Sequence, residues 1–375
     1  YDLIATSTFG IEAITAGELK ELGYGDVNVE NGRVTFEGDE RDIAFTNMWL
    51  RTADRVLIKM TEFRAESFEE LFQGTLAVDW WKLVPENGKM HVTGKSVKSK
   101  LYSVPDCQSI VKKAVIESMK KKYKKDVFPE DGPVYKIEVG ILKDIVTLTI
   151  DTSGPGLHKR GYREEAGEAP LKETLAAALV LISKWSTDRY LFDPFCGSGT
   201  IPIEAALIGR NMAPGLKRNF VSENWPNINK SIWKEVREYA KKAVNDRSFV
   251  IYGSDIDGRI LKTARDNAIK AGVDEFVNFQ KLPVEEFSSK KRNAFLITNP
   301  PYGERLGEEN QVRKLYDRLG ELYRELPDWS FFVLTSFYEF EKCFKKKADK
   351  NRKLYNGRLQ CYYYQYINSE KKQGS

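Results

Sequence analysis

Tyr190-Leu191-Phe192-Asp193-Pro194-Phe195-Cys196-Gly197-Ser198-Gly199-Thr200 decides the architecture of the second half of this chain. A short apolar strand ends in an acid, breaks at a Gly-x-Gly turn, and opens into Ile201-Pro202-Ile203-Glu204-Ala205-Ala206-Leu207. That last segment has helical periodicity, with a proline in the first turn where a helix tolerates one. In an open α/β sheet, ligands sit beyond the carboxyl ends of the strands, near the point where strand order reverses. Gly197 and Gly199 let backbone approach a ligand closely, and Asp193 offers a carboxylate at the strand tip. No third glycine completes a G-x-G-x-x-G dinucleotide fingerprint, and no G-K-[ST] follows for a nucleoside triphosphate.

Two further stretches repeat the pattern. Phe249-Val250-Ile251-Tyr252-Gly253-Ser254-Asp255-Ile256-Asp257 is another apolar run ending in acids, followed by a helical segment from Gly258 to Ala271. An acid at this strand tip can accept both hydroxyls of a ribose, which is the place of Asp255. Asp257 is read as the cap of the next helix. Ala294-Phe295-Leu296-Ile297-Thr298 then stops in Asn299-Pro300-Pro301-Tyr302. Consecutive prolines fix their own φ and hold the preceding residues extended. The Asn299 side-chain carbonyl and the Pro300 main-chain carbonyl are thereby aimed the same way. Two converging acceptors suit an amino group on a flat heterocycle, taking both protons and leaving the nitrogen lone pair outward. Tyr302 is read as a stacking partner for such a ring, an interaction of about 1–3 kcal/mol.

Asp193 to Thr200, Asp255 and Asn299 to Tyr302 resemble the cofactor and catalytic motifs of class I S-adenosylmethionine-dependent methyltransferases, in the amino-methylating branch. Leu157-His158-Lys159-Arg160-Gly161-Tyr162-Arg163, Ala169-Pro170-Leu171-Lys172-Glu173-Thr174-Leu175-Ala176 and Gly303-Glu304-Arg305-Leu306-Gly307 narrow the likeness. The set is similar to the THUMP-domain RNA guanine-N2 methyltransferases, including the bacterial enzyme of large-subunit (23S) ribosomal RNA. The resemblance implies S-adenosyl-L-methionine as cofactor, leaving as S-adenosyl-L-homocysteine, and no metal. It implies catalysis at Asn299, Pro300, Pro301 and Tyr302. It implies cofactor contacts at Glu173, Thr174, Asp193, Pro194, Cys196, Gly197, Ser198, Gly199, Thr200, Asp255, Ile256, Glu285 and Asn299. One departure stands out: Pro283 occupies the place where relatives often carry an adenine-contacting acid, and Glu285 is the substitute. The catalytic turn does not separate guanine N2 from adenine N6. A transfer-RNA guanine-N2 enzyme, a DNA adenine-N6 enzyme and a non-catalytic RNA-binding ribosome-assembly factor therefore stay open.

At 375 residues the chain suits two or three domains. Its 41% hydrophobic and 30% charged residues describe a soluble globular protein. No window approaches the roughly 20 apolar residues of a membrane span, and Tyr1-Asp2-Leu3-Ile4-Ala5 lacks the regions of a signal peptide. Four cysteines without paired spacing and only two histidines argue against zinc and for reduced cytoplasmic thiols. A monomer is the expected state. Cys196, inside the glycine turn, is read as a backbone neighbour of the ligand rather than a nucleophile.

The expected organisation is α/β: a C-terminal Rossmann-like methyltransferase domain (171–375) preceded by a ferredoxin-like α+β unit (1–62), a THUMP domain (63–152) and a linker (153–170). Helices are expected at Ile11–Leu22, Asp42–Arg51, Ser67–Leu83, Gln108–Tyr123 and Leu171–Ser183. A strand is expected at Val56–Met60, and a terminal hairpin turns at Gly357. Trp80 and Trp81 are read as core. From Lys89 to Lys125, eleven lysines face only Asp106 and Glu117; a second cluster, Lys342 to Lys353, carries seven basic residues against Asp349. Two such clusters favour a polyanionic partner. Lys95, Lys98, Lys100, Lys112 and Lys113 are the expected RNA contacts, joined by Arg160, Tyr162 and Arg163 at the mouth of the site. The tail Glu370–Ser375 is expected to fray.

Overall fold

The computed structural model describes residues 1–163, 171–303 and 309–368. The quoted stretches at Ala169–Pro170 and Glu304–Gly307, the end of the linker and the tail from Glu370 lie outside them.

The first half builds one seven-stranded sheet, β2-β3-β1-β4-β7-β6-β5. Its members are β1 (Asp2–Ser7), β2 (Val27–Glu30), β3 (Arg33–Glu37), β4 (Ala53–Arg64), β5 (Lys89–Val97), β6 (Val134–Leu142) and β7 (Ile145–Asp151). Helices α1 (Glu12–Glu21) and α2 (Glu40–Trp49) complete the β-α-β-β-α-β order of a ferredoxin-like unit. The ferredoxin-like unit and the unit that follows it share this sheet, because β4 runs to 12 residues and pairs β1 on one edge and β7 on the other. The expected helix Ser67–Leu83 ends early as α3 (Phe68–Leu76), and Trp80–Lys82 forms a single 3₁₀ turn. Ser67 starts α3 with a capping box, accepting from Glu70 N while Glu70 reaches back. Trp80 is core, donating its indole N–H to the Thr75 carbonyl at 2.9 Å. Trp81 is not: it is half-exposed beneath Lys122, 4.3 Å from the ring centroid. The long helix α4 (Val104–Tyr123) starts with Pro105 in its first turn and buries Cys107, Val111, Val115 and Met119.

The second half is a doubly wound sheet ordered β10-β9-β8-β11-β12-β14-β13. Strands β8 (Leu191–Asp193), β9 (Ile251–Asp255), β10 (Val277–Lys281), β11 (Phe295–Thr298) and β12 (Ser330–Thr335) are parallel; β13 (Lys350–Asn356) and β14 (Leu359–Tyr366) form the antiparallel edge. Order reverses between β8 and β11, so the switch point lies where Asp193 and Thr298 end their strands. The helices are α5 (Glu173–Ser183), α6 (Thr200–Gly209), α7 (Lys230–Lys242), α8 (Gly258–Ala271), α9 (Glu309–Glu325) and α10 (Phe340–Phe344).

The stretch between α6 and β9 does not pack on its own sheet. Ala213, Phe220, Trp225, Trp233, Val236 and Ala240 bury themselves in the core of the first half. Trp225 stacks on Tyr135 at 4.6 Å and donates to the Val134 carbonyl at 3.0 Å. The amphipathic α7 thus turns its apolar face to α2, and the two halves share a core through this insert.

Candidate active site at the carboxyl edge of the catalytic sheet

Asp193 ends β8 fully buried, its Oδ1 accepting from Phe195 N at 3.1 Å and from Thr298 Oγ1 at 2.6 Å. The second bond ties the strand of the glycine turn to the strand of the catalytic turn. Burial pushes the Asp193 carboxyl up to about 7, and the nearby Asp255 charge acts in the same direction. Asp255 accepts from Gly197 N through Oδ2 and from Asp257 N through Oδ1, both at 3.0 Å. Asp257 caps α8 by accepting from Arg259 N. Gly199 has φ +83, and a Cβ there would lie 2.8 Å from the Phe279 ring. Gly197 has φ +50, and a Cβ there would meet nothing within 4 Å, so the turn is open on that side. Ser198 is held by Asn267, which donates to its carbonyl at 3.1 Å. Cys196 is buried, and desolvation raises its thiol far above the usual range, which keeps it protonated. Pro194 precedes it in the turn. Ile256 stands 67% exposed beside Asp255, and Glu285 is exposed on the 3₁₀ turn Val284–Glu286 after β10.

In the catalytic turn, Tyr302 donates its hydroxyl to Asn299 Oδ1, while the Pro300 carbonyl accepts no hydrogen bond among the described residues. The Tyr302 ring packs against the apolar core near Cys361 and Asn356 of the terminal hairpin, not as an open platform. Gly303 has φ +74, which favours glycine, and a Cβ there would press on the Val312 side chain at 3.0 Å. Tyr316 on α9, fully buried, donates to the Pro301 carbonyl at 2.7 Å and meets Thr335 Oγ1 at 2.8 Å. Thr335 in turn accepts from Phe337 N at 3.0 Å. Sequence reasoning missed Tyr316; only its place on the inward face of an amphipathic helix hinted at it.

Glu173 and Thr174 begin α5 on the same side. Arg163 bridges Glu173 (Nε to Oε1, 3.2 Å) and Thr200 Oγ1 (3.2 Å). Glu173 Oε2 is buried with no hydrogen-bond partner, and burial pushes the carboxyl up to about 7. Thr174 spends its hydroxyl on Asp54 Oδ1 at 3.1 Å, so it ties α5 to the ferredoxin-like unit rather than offering a free donor.

Arg160 and Tyr162 are not at the mouth of the site. Both are buried against Glu204, an acid within the apolar face of α6 that sequence reasoning passed over. Tyr162 donates to Glu204 Oε1 at 3.0 Å and Arg160 lies 3.4 Å from Oε2. Arg160 also donates to the carbonyls of Leu157 and Arg51. A buried carboxylate needs such partners, and it draws the basic linker inward, away from any RNA. Of the five lysines, Lys95, Lys100 and Lys112 pair with Glu138, Glu66 and Glu130; Lys98 and Lys113 are exposed without an ion pair among the described residues. The same residues hold no group of three His, Cys, Asp or Glu fit for a metal, and no helix long and apolar enough to cross a membrane.

The chain matches three family models: the RlmL ferredoxin-like domain at 2–57, the THUMP domain at 65–151 and the RMKL-like methyltransferase domain at 160–365. It is 50% identical over 369 residues to "Putative RNA methyltransferase YpsC" of Bacillus subtilis, covering 98% of this chain and 96% of that one. A Listeria monocytogenes structure named as a "predicted N6-adenine-specific DNA methylase" is 50% identical, with TM-score 0.94 over 98% of this chain and 96% of that one. SMU.472, "a putative methyltransferase complexed with SAH", is 45% identical, with TM-score 0.94 over 99% of both chains.

Proposed function

This chain belongs to the RMKL-like methyltransferase family, is S-adenosylmethionine-dependent, and, we propose, methylates the exocyclic N2 amine of a guanine in RNA, with large-subunit ribosomal RNA as substrate. The observation that carries the amine chemistry is the Asn299–Pro300 acceptor pair at the carboxyl end of β11, one strand from the glycine turn. The THUMP domain and its lysine face support RNA, and through RNA the guanine assignment.

The residues present fit the cofactor. Asp193, Glu173 and Asp255 supply carboxylates to a ligand bearing an ammonium and ribose hydroxyls, one buried Glu173 oxygen lacks a partner, and Gly197 opens on free space. Bound there, S-adenosylmethionine supplies a methyl group on a sulfonium whose departure as a neutral thioether needs no covalent enzyme intermediate. Asn299 Oδ1 exchanges the Tyr302 hydroxyl for a hydrogen bond from one N–H of the incoming amine, and the Pro300 carbonyl accepts one from the other. The lone pair then faces outward, and orientation of this kind is worth up to roughly 7–11 kcal/mol. The base must leave its stack to be reached. Once its nitrogen carries the methyl group, one of the two amine protons passes to water. Cys196 stays protonated and takes no part.

Mass spectrometry of nucleosides from ribosomal RNA, transfer RNA and DNA, in cells with and without the protein, tests the reading. Loss of N2-methylguanosine from large-subunit RNA is expected. Loss from transfer RNA alone moves the substrate; loss of N6-methyladenine from DNA, as the name of the Listeria relative suggests, overturns it. Asn299→Ala should abolish methyl transfer while S-adenosylhomocysteine still binds.

A further inference from the structure

A cleft of about 250 Å³ lies between α1 and α2 of the ferredoxin-like unit and the insert carrying α7. It is remote from the catalytic turn: Asn211 on its rim follows the far end of α6, whose ten residues span roughly 15 Å from the glycine turn. Arg51 and Trp49 line it, each only 7% exposed. The Arg51 guanidinium makes no hydrogen bond or ion pair among the described residues, and its Nη1 is sealed from solvent. Trp49 Nε1 is likewise buried without an acceptor. Glu18 and Glu204 are near enough to support the Arg51 charge, but neither hydrogen-bonds its guanidinium: the Glu18 carboxylate is taken by Arg51 N (2.8 Å), Thr52 N (3.0 Å) and Thr52 Oγ1, and Glu204 by Tyr162 and Arg160. Unmet buried donors are rare. Two of them lining one cleft point to an acceptor that comes from outside the chain.

The remaining lining says what kind. Phe45, Trp49 and Tyr239 form an aromatic wall with centroids 5.8–6.2 Å apart, and Tyr239 is exposed at its outer edge. At the mouth stand acceptors: the exposed Glu21 carboxylate, and Asn211, whose Nδ2 donates to the Ala243 carbonyl at 3.1 Å and leaves its oxygen available. Donors in the depth, an aromatic wall and acceptors at the mouth complement a flat ring carrying carbonyl oxygen on one edge and N–H on the other. A bare phosphate or carboxylate is opposed by Glu18 and Glu21. Guanine fits best, because its O6 and N7 suit a guanidinium and its N1–H and N2 amine suit a carboxylate. We propose that this cleft is a second, non-catalytic guanine-binding site, filled either by an unpaired guanine of bound RNA or by a free guanine nucleotide. It stands independently of the base proposed for methylation.

Saturation-transfer NMR on the full chain, titrated with each of the four nucleoside 5′-monophosphates, tests it. GMP should bind at least tenfold more tightly than AMP. Trp49→Phe, which keeps a smaller aromatic face but removes the N–H, and Tyr239→Ala, at an exposed position, should each weaken GMP at least tenfold and leave S-adenosylhomocysteine binding unchanged. A guanine-bearing single-stranded oligoribonucleotide that binds tenfold more tightly than GMP, and loses that advantage in Tyr239→Ala, identifies RNA as the source; equal affinity identifies the free nucleotide. No saturation with millimolar GMP, equal response to AMP, or GMP binding that survives both substitutions overturns the proposal.

Discussion

Tyr316→Phe isolates the positioning of the catalytic turn. The Tyr316 hydroxyl is the one side-chain donor to the Pro300-Pro301 backbone among the described residues, at 2.7 Å from the Pro301 carbonyl. Its proton goes to Pro301, so Thr335 Oγ1, which accepts from Phe337 N, donates to Tyr316 across 2.8 Å. Burial raises the Tyr316 hydroxyl well above its ordinary value, so it remains a neutral donor throughout the working range. Phenylalanine fills the same space and leaves the buried Thr335 hydroxyl without its acceptor, worth about 1–3 kcal/mol when unmet, while the Pro301 carbonyl of the exposed turn can turn to water. Stability should therefore fall by roughly 1–3 kcal/mol. Catalysis should suffer separately, because a 1 Å misplacement of aligned groups costs about 10²-fold. We expect kcat, read as tritiated methyl incorporated into RNA from cells lacking the protein, to drop ten- to a hundredfold. The Kd of S-adenosylhomocysteine, by calorimetry, should stay within twofold, since Tyr316 does not touch the glycine turn. Thr335→Val leaves the Pro301 bond in place and should lose less. A Tyr316→Phe protein with lowered Tm but wild-type kcat would refute the positioning role, and parallel loss of cofactor binding would show collapse of the site instead.

Cofactor affinity should rise with pH through about 7, where the Asp193 and Glu173 carboxyls ionise, by roughly tenfold between pH 6 and 8 for each carboxylate that must be charged; Asp193→Asn should flatten that profile in a calorimetric titration. The same shifts have the opposite sign for folding. An acid raised in the folded state adds stability that is fully present below its unfolded value near 4 and lost as pH rises through about 7, so the apo protein's Tm should decline over that window from these two groups. Glu204→Gln leaves Arg160 buried without its counter-charge and should lower unfolding stability by about 3–5 kcal/mol in denaturant titration. Replacing both Lys98 and Lys113 by Ala should weaken RNA binding at low salt and reduce the magnitude of the log Kd versus log salt slope by about 1.5–2, with kcat on saturating RNA unchanged.

What the sequence disclosed and what it withheld follow one physical division. Strand tips that end in acids, glycine turns and Asn-Pro-Pro-Tyr are local: their backbone demands are written in the residues themselves, so Asp193, Gly197, Gly199, Asp255 and Asn299 lie where the pattern placed them, on the carboxyl edge of one sheet. Long-range pairing is not local. Nothing in Ala53–Arg64 announces that one strand will serve two units, because each half of β4 reads as an ordinary strand and only its partners on both edges join the sheets. The basic linker failed for a related reason. Arg160, Tyr162 and Arg163 look like an RNA grip when exposure is assumed, and exposure depends on a single acid elsewhere. Glu204 sits in Ile201–Leu207 with apolar neighbours on every side, and an unpaired carboxylate there would be prohibitive. That isolation was the available signal: a lone charge in a buried helix requires partners, though it does not say which cation supplies them. The consequence reaches the active site. Arg160 locks the linker to α6, Arg163 carries the lock to Glu173 and Thr200, and Thr174 fastens α5 to Asp54. The ferredoxin-like unit and the carboxyl edge of the second sheet are therefore tied through a chain of polar links, so loosening Glu204 should weaken S-adenosylhomocysteine binding as well as stability.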